Sequence, residues 1–274
     1  MTIDHVTVAG ANLRTMRLAL ASVGIQVEYG GLHANHATEM ALTSFPDGSY
    51  LELIAIQGDA EPDAVKAHTW DKQMEHDAGP CAWAVRVPDM DAEIKRLRAA
   101  GITVSDPLRA GRERPDGLRL DWETASVGTE PNGTFFPFLI RDLNPRQLRA
   151  FPAGKPTNRD FGGVSRVVIA VRNLDASVKR YRQAYGLQEP LKQVDKTFGA
   201  QLALMGGTPV ILAAPLNADS WLNERLDQFG EGPCAFVLSG KRTGPYKAAS
   251  RTRWFGVDFS WLDGAKLGWR LGYE

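Results

Sequence analysis

A strand, a capped turn and a helix ending in glycine recur along this chain at nearly constant spacing, and that recurrence limits the fold more than any other feature. In the first copy Ile3, Val6 and Val8 give a β-rich run, Asn12 is placed to cap, and Leu13, Met16, Leu20 and Val23 follow at helical spacing up to Gly24. The second copy runs from Val85 and Val87 through Asp89, Met90, Ile94 and Leu97 to Gly101. The third runs from Val171 through Asn173, Leu174, Val178, Tyr181 and Tyr185 to Gly186. From cap to glycine the distance is 12, 12 and 13 residues, so one supersecondary unit is reused.

After each helix, further strand patterns complete the unit. In the first copy these are residues 25–29, a Gly30-Gly31 turn, residues 38–45 and residues 49–56, with Pro46-Asp47-Gly48 supplying turn chemistry. The order βαβββ follows, its last strands in an antiparallel meander. Residues 57–78 read as a connector with one or two helical turns. The second unit restarts at Gly79-Pro80-Cys81 and continues through a strand at 102–104, a loop at 109–117, and strands at 118–126 and 135–140. Residues 143–163, rich in proline and glycine, read as the linker between domains 1–142 and 164–274. The third unit occupies 164–214. A fourth restarts at Gly232-Pro233-Cys234-Ala235 without its helix, because 241–250 is short, polar and interrupted by Gly244-Pro245; its remaining strands are expected at 254–261 and 266–273.

The chain has 274 residues and 43% hydrophobic content, enough for one large core or two ordinary ones, with two domains the default. Lysine plus arginine and aspartate plus glutamate number 32 each, which argues against nucleic acid, since binding there rests on basic surplus. No run approaches the roughly 20 apolar residues of a membrane span, and the chain reads as soluble and cytoplasmic. Its two cysteines, Cys81 and Cys234, sit in the same tetrapeptide Gly-Pro-Cys-Ala, which predicts equivalent buried strand positions and no disulfide framework.

Tandem βαβββ modules that begin Ile3-Asp4-His5-Val6 and close on Tyr50-Leu51-Glu52-Leu53 resemble the vicinal oxygen chelate superfamily, which includes glyoxalase I, extradiol dioxygenases and bleomycin-resistance proteins. The similarity is greatest to its glyoxalase-like domain family. It rests also on Gly30-Gly31-Leu32-His33, Thr38 with Leu42, Arg114-Pro115-Asp116-Gly117 followed by Trp122, and Pro137-Phe138-Leu139-Ile140. It covers residues 3–142 in detail and 164–273 only in the order of elements. The resemblance implies an α+β fold in which paired modules curl into two half-barrel cups, the last module eroded. It further implies metal ligands on the first and last strands of each module, and one divalent ion (Mn, Fe, Ni or Zn) assisting lyase, isomerase or dioxygenase chemistry on a small oxygen-containing substrate.

Carried over residue by residue, His5 and Glu52 match the first module's ligand positions, while Ala82 and Phe138 stand at those of the second and cannot coordinate. A catalytic zinc has about three protein ligands, so His33 or His36 would have to complete the set. In the second half Arg166 replaces His5, and no histidine follows His76. Strand alternation puts Glu52 on the face of Tyr50 and Ile54, and Arg86 on the face of Ala82 and Ala84. A Glu52 to Arg86 or Glu52 to His5 pair therefore competes with metal ligation, because a buried carboxylate needs a partner. An unpaired Arg86 becomes an anchor for an anionic ligand. His33 and His36 belong to a loop at the mouth of the cup, and Trp122 and Phe138 are candidates for its apolar wall, or plain core. Three readings stay open: a metal-dependent enzyme at His5 and Glu52, a metal-free binding or sequestering protein with no cofactor, and metal-free acid and base catalysis by the His5 and Glu52 pair. The partner expected is a small molecule, with a homodimer left open.

Overall fold

The recurring unit builds the sheets as its spacing requires. In the computed structural model, which describes residues 1–114, 116–240 and 246–274, the first module supplies β1 (Ile3–Ala9), α1 (Leu13–Ser22), β2 (Glu28–Leu32), β3 (Thr38–Ser44) and β4 (Tyr50–Ile56). Helices α2 (Pro62–Lys66) and α3 (Asp71–Glu75) lead to the second module, with β5 (Gly79–Arg86), α4 (Met90–Ala99), β6 (Leu108–Glu113), β7 (Arg119–Ala125) and β8 (Phe138–Asp142). A short helix, α5 (Arg146–Ala150), follows. The third module comprises β9 (Gly163–Ala170), α6 (Leu174–Tyr185), β10 (Leu191–Asp195), β11 (Ala200–Leu204) and β12 (Val210–Pro215). Helix α7 (Trp221–Phe229) precedes β13 (Gly232–Ser239), β14 (Ser250–Trp254), β15 (Val257–Trp261), α8 (Gly264–Leu267) and β16 (Arg270–Tyr273).

Each pair of modules makes one eight-stranded sheet, in the orders β2-β3-β4-β1-β5-β8-β7-β6 and β10-β11-β12-β9-β13-β16-β15-β14. The three predicted caps are made: the side chains of Asn12, Asp89 and Asn173 accept from the amides of Thr15, Ala92 and Ala176. Gly24, Gly101 and Gly186 take positive φ just beyond their helices, the conformation that ends a helix most readily.

Several boundaries differ from the sequence reading. Gly30-Gly31 is not a turn but lies inside β2. There the edges of the first sheet meet, through a bridge between His33 and Arg112. A Cβ at Gly31 would stand 2.4 Å from the carbonyl oxygen of Glu113, and its φ is +112, so only glycine lets the edges close. Residues 109–113, expected as loop, are strand in β6, while the strand expected at 102–104 reduces to a bridge between Val104 and Val127. The strand expected at 254–261 is a hairpin of β14 and β15, turned by Phe255 and Gly256 at positive φ. Of the stretch expected to lack the fourth helix, residues 241–245, with Gly244-Pro245, lie outside the described residues, as does Pro115; 246–249 are non-helical.

The two sheets share one apolar core. It joins Val6, Val8 and Trp83 of the first to Val167, Ile169 and Phe236 of the second, with Leu20 of α1, Leu97 of α4 and Tyr181 of α6 packed in. Tyr50, Glu52 and Ile54 alternate away from Leu51 and Leu53, which belong to that core. The opposite, concave faces of the sheets differ. In the second sheet Phe198, Trp254, Phe259 and Trp261 fill the concavity, with Phe198 and Trp254 centroids 4.9 Å apart. In the first, the concavity is open.

Candidate functional site

The open cup has a volume of about 590 Å³, within the range of small-molecule pockets. Its floor is set by β1 and β4, whose parallel register puts Tyr50 beside His5 and Glu52 beside Thr7. A bulge decides the rest. In the pairing of β1 with β5, Ile3 faces Val85 and His5 faces Ala84, leaving Asp4 as an extra residue. Ile3 and Val6 can then both enter the shared core, while the fully buried Asp4 carboxylate turns to its neighbour and accepts from His5 Nδ1 at 2.6 Å. His5 Nε2 is left 3.5 Å from Glu52 Oε2, an oxygen that also accepts from Thr7 Oγ1 at 3.1 Å. The imidazole stacks on Tyr50, centroids 4.8 Å apart and 5° from parallel, and meets the edge of Phe138 at 5.4 Å.

Asp4 is held by arginines from a distant segment. Arg149 donates from Nη1 to Asp4 Oδ1 at 3.0 Å and from Nη2 to Oδ2 at 2.9 Å, and its Nη1 also donates to the Tyr50 hydroxyl at 2.6 Å. Arg146 donates to Asp4 Oδ2 as well. Asp142 at the end of β8 accepts from both arginines. Burial by itself would raise the Asp4 carboxyl, but Arg149, the His5 hydrogen bond and Arg146 outweigh it and hold the group well below the ordinary carboxylate range. The stretch 143–163, read as a linker, therefore supplies through α5 the side chains that brace the floor of the cup.

Two further histidines face Glu52 or line the cup near it. His33 Nε2 is 3.7 Å from Glu52 Oε1, and its Nδ1 lies 2.8 Å from Thr38 Oγ1. Burial pushes this imidazole down to about 4, with Arg112 acting in the same direction against Glu52, so it is neutral at neutral pH. His68, from the connector before α3, accepts from the amide of Trp70 at 3.1 Å through Nδ1 and is lowered by burial. Its remaining proton is thereby placed on Nε2. Arg112, 2% exposed, donates to the carbonyls of Gly30 and Arg149, and no carboxylate lies within 4 Å of it among the described residues. Met40, Ile54, Trp70, Trp122, Phe138 and Ile140 supply the apolar part of the walls, and Arg109, Arg119, Asp121 and Asn132 also line the cup.

Of the residues singled out in the sequence, His5, Glu52, His33, Trp122 and Phe138 come together in this cup. Arg86 does not. It lies at the end of β5, where it donates to the carbonyls of Ile3 and Asp47, each at 3.2 Å, with Asp4 3.9 Å from its Nε. The Glu52 to Arg86 pair is not formed, because Glu52 lies beside Thr7, which pairs with Ala82, and Arg86 is four residues further along β5. His36 adopts a left-handed turn conformation with φ of +56 and does not line the cup. Asp4, Arg112, Arg146, Arg149, His68 and Trp70 were missed. Asp4 beside His5, and Arg146 three residues before Arg149, were the only local signals.

A family model described as a glyoxalase-like domain matches residues 3–185. The chain belongs to the glyoxalase-like domain family. The matched span takes in every residue of the cup just described, α5 included. No curated protein matches the chain. Among solved structures, a hypothetical protein from Staphylococcus aureus covers 100% of this chain and 98% of its own, with a TM-score of 0.66 at 13% identity, a likeness of fold. Methylmalonyl-CoA epimerase from Mycobacterium tuberculosis covers 42% of this chain and 87% of its own, with a TM-score of 0.36 at 18% identity, too distant to bear on chemistry.

The divalent ion implied by the vicinal oxygen chelate resemblance meets a poor donor set in this glyoxalase-like domain. Ala82 and Phe138, at the second module's ligand positions, are buried and apolar. His5 can offer only Nε2, since its Nδ1 is engaged with Asp4, and Glu52 Oε2 already accepts from Thr7. Among the described residues no group of three or more histidine, cysteine, aspartate or glutamate side chains is arranged to hold a metal. The residues as placed do not fit the inherited metal centre.

Also among the described residues, no helix is long and apolar enough to cross a membrane. Cys81 and Cys234 are free and buried at matching positions of β5 and β13, the places their shared tetrapeptide predicts.

Proposed function

We propose that the N-terminal cup binds a small, partly apolar oxygen-containing molecule and that Glu52, between His5 and His33, moves a proton on it without a metal. The observation that carries this reading is the chain Asp4, His5, Glu52 on the floor of a cavity walled in part by Met40, Ile54, Trp70, Trp122, Phe138 and Ile140. Asp4 accepts from His5 Nδ1 and so fixes the orientation of the ring, leaving Nε2 3.5 Å from Glu52 Oε2. Glu52 takes a proton from carbon or oxygen of the ligand. The neutral imidazoles of His33 and His68 are donors for the oxygen on which charge develops, and they cost no desolvation of a cation. Arg112 adds a fixed positive charge behind that oxygen. Lyase or isomerase chemistry fits such a proton transfer; a dioxygenase step has no support in these side chains.

The test is proton exchange. Small 2-oxo acids and 1,2-dicarbonyl compounds are incubated with the protein in D2O, and deuterium incorporation is followed by NMR. Catalysed exchange that falls at least about 100-fold in Glu52→Gln, with binding retained, is expected of a general base. No catalysed exchange in this panel refutes proton transfer and leaves a binding cup. Elemental analysis of protein purified without chelators tests the remaining claim: one Mn, Fe, Ni or Zn per chain, lost in the His5→Ala, Glu52→Ala double variant, refutes the metal-free reading.

A further inference from the structure

The seam between the two halves holds a second cavity, of about 540 Å³, lined by residues of α3's end, α7, α8 and β16. It opens beside the aromatic plug of the second concavity, where α7 covers the sheet. Two guanidinium groups border it. Arg270, half-buried, stacks over the ring of Trp221 at 4.4 Å and lies 5.2 Å from that of Phe198. Among the described residues its side chain makes no hydrogen bond and has no carboxylate within 4 Å. Arg225 ties the halves together by donating to the carbonyls of Ala78, Pro80 and Pro233, and it too lacks a carboxylate within that distance. Burial lowers both groups against the thiol of Cys234, which acts on both, and that of Cys81, which acts on Arg225; no carboxylate acts on either. Of the acids at the rim, Asp77 is engaged by the amide of Ala11 at 2.7 Å and Glu224 is exposed.

A guanidinium taken partly out of water without an anion is costly, and its planar donor fork matches carboxylate and phosphate oxygens. Stacking on Trp221 fixes the plane of Arg270 and leaves its donor edge to the cavity. Trp269, Phe229 and Trp221 supply apolar surface for the remainder of a ligand. We propose that this seam cavity is a second binding site, in which Arg270 grips the oxygens of a small carboxylate or phosphate-bearing molecule. Arg225 contributes its charge from behind while its hydrogens stay on the backbone. The site is independent of the chemistry assigned to the N-terminal cup.

Inorganic phosphate and benzoate are titrated separately into the full chain at low ionic strength without chloride, read by tryptophan fluorescence and by thermal midpoint. The expected result is saturable binding of at least one, weakened at least tenfold in Arg270→Met and by added salt. Saturation by phosphate alone or by benzoate alone tells which oxyanion the site takes. Arg270→Gln repeats the test if methionine disturbs the fold, and Arg112→Lys reports on anion binding in the other cup. The proposal is overturned if neither anion saturates, if the Arg270 variants bind as the parent does, or if the loss appears in Arg112→Lys and not in them.

Discussion

Replacing Asp4 by asparagine keeps the shape of the side chain and removes the charge on which the floor of the cup converges. In the parent, that carboxylate takes two hydrogen bonds from Arg149, at 3.0 and 2.9 Å, one from His5 at 2.6 Å, and one from Arg146. The Arg149 side chain is 3% exposed and would be left with Asp142 as its sole carboxylate. Breaking a buried pair from one side costs about 3–5 kcal/mol, which for a chain of this size lowers the thermal midpoint by about 10 °C. The pH dependence carries a second signature. A carboxyl held below its unfolded value contributes stability that is fully present above about pH 3.9 and fades as the pH falls further. The Asp4→Asn penalty is therefore constant from pH 5 to pH 8 and shrinks below about 4. Urea unfolding of parent and variant across that range measures both. A penalty under about 1 kcal/mol, or one that changes steeply between pH 5 and 8, refutes the assignment of Asp4 as the charge that braces the cup.

Other expectations follow from single observations. His33 is held near 4 by burial, so below the ordinary histidine value the unfolded chain binds the extra proton; the parent should lose about 3 kcal/mol between pH 6.5 and 4. His33→Gln should remove most of that loss in acid unfolding; an unchanged acid limb would contradict it. Gly31→Ala brings a Cβ to 2.4 Å from a carbonyl oxygen at a φ of +112, and should cost about 3 kcal/mol in urea unfolding, whereas the same change at Gly117, with open space around it, should cost less. Burial raises the thiol of Cys234 to about 12 and that of Cys81 further. An aromatic disulfide reagent at pH 8 should therefore label neither in the native protein and both in denaturant.

Legibility in the sequence followed the range of the interactions. Caps at Asn12, Asp89 and Asn173 and the glycines after each helix are contacts across three or four residues, and they were readable because the spacing is local. His5 and Glu52 were found through strand alternation and family resemblance, and alternation placed Glu52 correctly. Alternation kept Arg86 on the face of Ala82 and Ala84, but Arg86 is the last residue of β5 and stands beyond the cup, and the bulge that brings Asp4 beside it left no signal in the pattern. Residues 109–113 looked like loop, since a closing edge strand rich in charge and glycine carries little of the usual β signal.

The sequence by itself determined four repeats of a βαβββ grammar, the glycines where helices stop, and the erosion of the last copy. Those features rest on backbone preference and on periodic burial, which act within a few residues. Only the tertiary structure decided which concavity is open, that the two sheets share one core, and that Asp4 meets Arg149, 145 positions away. A salt bridge over that distance leaves no trace in local pattern, because a buried arginine and a solvated one occupy helical positions equally well until the opposing carboxylate is folded against them.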